Sequence, residues 1–125
     1  MDTHGTLVVI IVLFAIAAAG GLVMAGVRLF AQRNPPAWLA LLHGLLAAAG
    51  LTLLLFAAFT VGIPTLAMWA LVLLLIAAAG GALMNLGYQW QQKLLPKPLM
   101  FGHILIAVVG FILLIVSAFG GTVAA

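Results

Sequence analysis

The chain has 125 residues, of which 68% are hydrophobic and only 4% are charged, and its formal net charge is +3. A soluble domain carries roughly a quarter of its residues as charged ones, so this composition excludes a water-soluble globular fold. The four basic residues are too few for a nucleic-acid-binding surface, and the lack of cysteine excludes disulfides, thiolate zinc sites and iron–sulfur clusters. We therefore predict an all-α integral membrane protein that forms a single membrane domain over residues 1–125.

Four apolar segments follow one another, and each reaches the roughly 20 residues that a helix needs to cross a bilayer. We predict them at 7–30, 37–61, 65–86 and 99–119. The first lacks the basic segment and cleavage site of a secretory signal peptide, so we expect a retained helix. Proline and glycine punctuate the short connections, and neighbouring helices are therefore predicted to run antiparallel.

The basic residues are confined to two of the three connections. Arg28 and Arg33 flank the first connection, and Lys93 and Lys97 flank the third. The positive-inside rule places both of these loops in the cytoplasm and both chain termini outside. We expect a multi-pass protein of the bacterial inner membrane, in contact with the lipid bilayer and with other membrane subunits.

The sequence repeats itself at an offset of 60 residues without a gap. Equivalent residues include Ala17 and Ala77, Gln32 and Gln92, Pro36 and Pro96, His43 and His103, and Gly50 and Gly110. We predict two tandem copies of a helix pair, at about 5–64 and 65–125. Because each copy holds an even number of spans, the copies are parallel and related by a pseudo-twofold axis along the membrane normal.

The residues shared by the second helix of each copy are spaced by three or four positions, so they lie on one helical face. We expect this face to point toward the symmetry axis. Its shared ionisable residues are His43 and His103, which lie roughly 7–10 Å inside the boundary near the basic loops, at 1.5 Å per residue. An ionisable side chain inside a membrane is costly and is a functional-site hypothesis by default.

Two imidazoles on facing helices can bind one haem iron along a common axis. We therefore predict that His43 and His103 are metal ligands for one haem b. Small residues around a flat macrocycle and cations near its propionates complete the predicted site. The residues predicted for these two roles are Gly20, Gly21, Gly44, Ala47, Gly50, Gly80, Gly81, Gly102, Ala107 and Gly110, with Arg28, Arg33, Lys93 and Lys97 as the cations.

Other interpretations stay open at this stage. A membrane histidine can simply hydrogen-bond a neighbouring helix, and alanine–glycine stripes pack helices without a cofactor, which predicts a cofactor-free structural subunit. Met24 and Met84 fall near the depth of the histidines, and imidazole with thioether suits copper as Cu(I). Each histidine could also bind one bacteriochlorophyll.

A second group of polar residues carries weaker expectations. Asn85, Gln89, Gln91 and Gln92 could contact a quinone headgroup near the basic loops. We expect His4 to be solvated, and Thr52 and Ser117 to bond the backbone of their own helices.

Several functional classes lack the residues they need. No charged residue lies deep in a predicted span, which disfavours pumps and channels. The chain has no serine–histidine–aspartate set, phosphate loop or carboxylate pair for hydrolysis or phosphoryl transfer. We therefore expect an electron-transfer or accessory subunit rather than an enzyme.

The pattern Pro-x-x-Leu-x-x-x-His-x-x-x-Ala-x-x-Gly occurs at 36–50 and again at 96–110. It resembles that of small uncharacterised four-helix bacterial membrane proteins. The layout is also similar to four-helix membrane b-type cytochromes, in which histidines on facing helices ligate haem. That resemblance implies His43 and His103 as ligands. Two-haem cytochromes of this kind need four histidines, so this chain is expected to hold one haem and to serve a larger complex or a quinone.

Overall fold

The computed structural model describes residues 1–121, which form helices and loops without any strand. The long helices are α1 (Thr3–Phe30), α2 (Ala37–Thr60), α3 (Thr65–Met84) and α4 (Lys97–Phe119), and α3 continues as one π-helical turn, Asn85–Gln89. Each of the four, with the π turn counted in α3, is long and apolar enough to cross a membrane. The predicted all-α class with four apolar spans is thereby confirmed. Residues 122–125 of the predicted second copy lie outside the described part.

The helix starts follow from local chemistry. The carboxylate of Asp2 accepts a hydrogen bond of 2.7 Å from the Gly5 amide, so α1 begins before the predicted position 7. Proline precedes each of the other three helices, at Pro36, Pro64 and Pro96. A proline at this position needs no amide partner and has a backbone angle that leads into a helix.

The loops that follow α1 and the π turn change direction in the same way. Gln32 and Gln92 adopt positive φ angles of 54° and 56°, in the left-handed region that residues other than glycine seldom adopt. The side-chain amide of Gln32 donates to the Leu29 carbonyl at 2.7 Å, which satisfies one of the free carbonyls at the end of α1. We call the end of the bundle that carries these two loops the basic end.

The helices pack as two pairs. α1 contacts α2 and α3 contacts α4 over most of their lengths, whereas smaller contacts join α1 to α4 and α2 to α3. The bundle is therefore a closed ring of four helices in which the interfaces between the pairs are the less extensive ones.

Two separate apolar clusters fill the interior. The large core lies toward the end opposite the basic end and consists of Leu7, Ile10, Phe14, Leu51, Leu54, Ala67, Ala70, Leu71, Leu74 and Leu114. The basic-end cluster consists of Met84, Leu95 and Met100. His103 follows Met100 by one helical turn, so the histidine level lies between the two clusters. At this level, glycines of α1 and α3 lie against the two imidazoles.

The two loops of the basic end are joined by side chains of the first loop and of the π turn. The Asn34 amide donates to the Lys93 carbonyl at 2.6 Å and accepts from the Leu95 amide at 2.9 Å. The Gln89 amide donates to the Pro35 carbonyl at 2.7 Å. These bonds connect residues about 60 positions apart. At this end of the bundle they join the two helix pairs, whose helices otherwise share smaller contacts.

We expect Asn34→Leu to lower the free energy of unfolding by about 1–2 kcal/mol, because two backbone groups lose their partners together. Denaturation of the purified protein in mixed micelles measures this change. Gln91→Leu is the matched control, because Gln91 is exposed and its side chain makes no hydrogen bond within residues 1–121. Equal stability of the Asn34 variant and the wild type would show that these bonds do not hold the loops together.

Candidate functional site

Both membrane histidines are oriented by a backbone carbonyl of the neighbouring helix. His43 Nδ1 lies 2.7 Å from the Ala17 carbonyl oxygen, and His103 Nδ1 lies 2.7 Å from that of Ala77. A carbonyl can only accept, so Nδ1 carries the proton and donates in each ring. The lone pair of a neutral imidazole is then on Nε2, which is the arrangement of a histidine that binds a metal through Nε2.

Glycine on the neighbouring helix lets each ring lie close to the backbone. A Cβ atom on Gly21 would lie 3.0 Å from His43 Cε1, and one on Gly81 would lie 3.3 Å from His103 Cε1. Of the glycines one position earlier, Gly80 is 3.9 Å from His103 Nδ1 by the same measure, whereas Gly20 meets Leu39 instead of a histidine. Gly21 on α1, and Gly80 and Gly81 on α3, thus leave room for the imidazoles beside the helix backbone.

The two rings face each other across the bundle. Their centroids are 6.2 Å apart, and their planes are inclined by 73°. With metal–nitrogen bonds of about 2 Å and roughly 1 Å more from each nitrogen to its ring centre, two imidazoles on one metal are about 6 Å apart. The distance between His43 and His103 is compatible with one metal between them, and it is also the distance of two rings in direct edge-to-face contact.

Two of the small residues that were predicted to surround the macrocycle, Gly50 and Gly110, have side chains of other residues beside them. A Cβ atom on Gly50 would lie 2.9 Å from Phe14 Cε2, and one on Gly110 would lie 3.0 Å from Leu74 Cγ. Ala47 packs against the large core. These residues have a packing role, and the prediction that they line a macrocycle has no support from the structure. Ala107 is half-buried on α4.

An open groove of about 410 Å³ runs between α3 and α4 along one side of His103. It is almost wholly apolar, and its rim includes the exposed Ile76, Leu83 and Pro98. The small residues Gly80 and Gly102 form part of its wall. One side of the His103 ring is therefore accessible through this groove from the outer, lipid-facing side of the bundle, and another side lies toward His43.

The predicted propionate partners differ in their surroundings. Arg28 is buried, and its Nε donates to the Leu95 carbonyl at 2.8 Å. Arg33 is exposed on the first loop, as are Lys93 and Lys97 at the other side of the basic end. Only Arg28 is therefore held inside the bundle, two helical turns beyond Gly21 on α1.

The copper alternative has few candidate ligands. Met84 is buried in the basic-end cluster beside Leu95 and Met100, so its thioether already has apolar partners. Residues 1–121 contain no group of three or more histidine, cysteine, aspartate or glutamate side chains that could hold a metal ion. The two imidazoles are thus the main ligands available to any metal.

The remaining polar candidates occupy other places. The Gln89 amide is engaged with the Pro35 carbonyl, whereas Asn85, Gln91 and Gln92 are exposed. His4 is exposed as expected, but its Nδ1 also lies 3.1 Å from the Ala118 carbonyl oxygen.

The two hydroxyl residues behave differently from each other. Thr52 donates to the Ala48 carbonyl at 2.7 Å, as predicted. Ser117 Oγ is buried without a partner in the described part of the chain, so the predicted bond to its own helix was wrong.

Comparison with known proteins does not supply a relative. No family model, no curated protein and no solved structure matches the chain. The resemblance to four-helix membrane proteins and b-type cytochromes therefore stays a prediction, and the function has to be argued from the residues of the site.

Proposed function

We propose that the protein is a small b-type cytochrome-like membrane subunit that holds one haem between His43 and His103. The observation that carries this proposal is the pair of imidazoles 6.2 Å apart, each with its Nδ1 bonded to a backbone carbonyl. Electron transfer within a larger membrane complex, or to a quinone, is the function that such a site supports. The two histidines would hold the haem iron, and a one-electron couple is the chemistry that haem would supply.

The residues of this chain prepare the site in three ways. The carbonyls of Ala17 and Ala77 hold the imidazoles in one tautomer and orientation. Gly21 and Gly81 allow both rings to approach the helix backbone. Apolar clusters lie on both sides of the histidine level, and the hydrophobicity around a metal influences its reduction potential.

A duplication of the helix pair accounts for the similar environments of the two histidines. Some residues at the offset of 60 have the same conformation, as the positive φ angles of Gln32 and Gln92 illustrate. Leu54 and Leu114 are likewise both fully buried. We infer two tandem parallel copies whose pseudo-twofold axis passes between the imidazoles.

The placement of the site bears on its role. We propose that the basic end faces the cytoplasm of a bacterium, in accordance with the positive-inside rule. The haem would then lie nearer the cytoplasmic face of the inner membrane. One redox centre near one face cannot carry electrons across the bilayer alone, so a partner subunit or a quinone is needed as donor or acceptor.

A cofactor-free structural subunit is the second candidate, and one observation favours it. The same hydrogen bonds that orient the imidazoles also tie α2 to α1 and α4 to α3, which is a sufficient role for a membrane histidine. In this case the exposed apolar faces of the helices would dock other membrane subunits.

Optical spectroscopy of the protein purified from membranes in mild detergent tests the proposal. We expect a reducible Soret and α band, and uptake of haemin up to one equivalent per chain. Metal analysis of the same sample tests copper. A colourless protein that is free of metal and takes up no haemin would overturn the haem proposal and favour the structural subunit.

A further inference from the structure

Arg28 is a buried cation without an acidic partner in residues 1–121. Its side chain is 5% exposed, and its Nη1 is buried with no hydrogen-bond partner within residues 1–121. The only acidic side chain is that of Asp2, which caps the opposite end of α1. At a rise of 1.5 Å per residue these two charges are about 39 Å apart. Nothing in the described chain therefore neutralises the guanidinium.

The surroundings of Arg28 increase the need for an anion. A charge that is removed from water without a counter-charge strongly destabilises the folded protein. The other three cations, Arg33, Lys93 and Lys97, belong to the same end of the bundle and have the same sign. Together they produce a positive potential that attracts anions to this end.

We propose that the basic end binds the phosphate of an anionic phospholipid, with Arg28 as its principal contact. A guanidinium matches the oxygens of a phosphate with two parallel hydrogen bonds. Arg28 lies in the last turn of α1, where a membrane-spanning helix reaches the level of the lipid headgroups. Basic pockets between transmembrane helices are suited to anionic headgroups.

This proposal is independent of the haem, and the experiment keeps the two apart. A haem propionate offers an oxyanion of similar chemistry, so the binding test uses protein that shows no Soret absorbance. A failure of the lipid test then leaves the haem proposal untouched, and the converse also holds.

The test compares thermal unfolding in vesicles of phosphatidylcholine with unfolding in vesicles that contain phosphatidylglycerol as one quarter of the lipid. We expect phosphatidylglycerol to raise the Tm of the wild type by about 5 °C, because a ligand that binds only the folded state stabilises it. The shift should persist in Arg33→Gln, whose side chain is exposed, and fall by more than half in Arg28→Gln. Arg28→Lys should keep part of the Tm shift, since lysine retains the positive charge but lacks the planar set of N–H donors of a guanidinium.

Three outcomes would overturn the proposal. The first is a wild-type Tm that is the same in both vesicles, a result that does not depend on the folding of any variant. The second is an equal shift in Arg28→Gln and Arg33→Gln, which would show that general attraction to the surface is sufficient. The third is an equal shift produced by inorganic phosphate in phosphatidylcholine vesicles, which would exclude a lipid as the source of the anion.

Discussion

Replacement of either membrane histidine, by His43→Ala or by His103→Ala, is expected to abolish the reducible Soret and α bands of the protein. Under the proposed function, the haem iron would lose one of its two imidazole ligands in each case, and the described residues around the site offer no further imidazole. Difference spectra of reduced and oxidised protein, recorded at matched protein concentration, measure the loss. His4→Ala is the matched control, because His4 is exposed at the opposite end of the bundle and should leave both bands unchanged.

Loss of the bands through unfolding must be separated from loss of a ligand. Each alanine variant also loses one hydrogen bond between helices, which costs about 1 kcal/mol, so far-ultraviolet circular dichroism should still show the full helix content. His43→Met gives a second readout, because a methionine ligand in place of histidine shifts the bands and raises the midpoint potential. Bands that keep both their position and their intensity in either alanine variant would show that the iron is held elsewhere, because haem with a single remaining histidine ligand has a different spectrum.

The largest loss of stability is expected for Gly50→Leu, which should lower the free energy of unfolding by about 3 kcal/mol. Gly50 is buried on α2 and faces the ring of Phe14 on α1, where even a Cβ atom would lie 2.9–3.1 Å from three ring carbons. A leucine fits there only if the Phe14 ring is displaced or α1 and α2 separate. Unfolding in mixed micelles, followed by tryptophan fluorescence, measures the change.

Two further variants show whether the contact with Phe14 is the cause. Gly44→Leu is the matched control on the same helix, because a Cβ atom at Gly44 meets nothing within 4 Å and should change stability by no more than about 0.5 kcal/mol. Phe14→Ala should restore at least about 1 kcal/mol when it is combined with Gly50→Leu, since the two side chains compete for one space. Additive effects of Phe14→Ala and Gly50→Leu would contradict the contact.

The pair of histidines could be recognised from the sequence because the two residues share a helical face and an offset. Their equal depth follows from helix geometry, which depends on spacing alone. The carbonyls of Ala17 and Ala77 could not be recognised in this way, because a backbone acceptor has no signature in the type of its side chain. The distance between the rings depends on how the two helix pairs pack together.

The small residues of the site show where interpretation of the sequence ends. Spacing placed Gly50 and Gly110 on the inward face, and the structure buries both. Whether a cofactor or a side chain fills the adjacent space depends on the rotamers of Phe14 and Leu74 and on the helix crossing. Those quantities arise from packing, and no local pattern in the chain encodes them.

The sequence by itself determined that four apolar helices exist and where prolines and polar loops separate them, because span length and helix breaking depend on neighbouring residues. Only the tertiary structure decided that Arg28 is buried against the Leu95 carbonyl and that Asn34 joins the two loops. These contacts connect residues about 60 positions or more apart. Their free energy comes from burial and hydrogen bonding between distant segments, which exist only after the helices have packed.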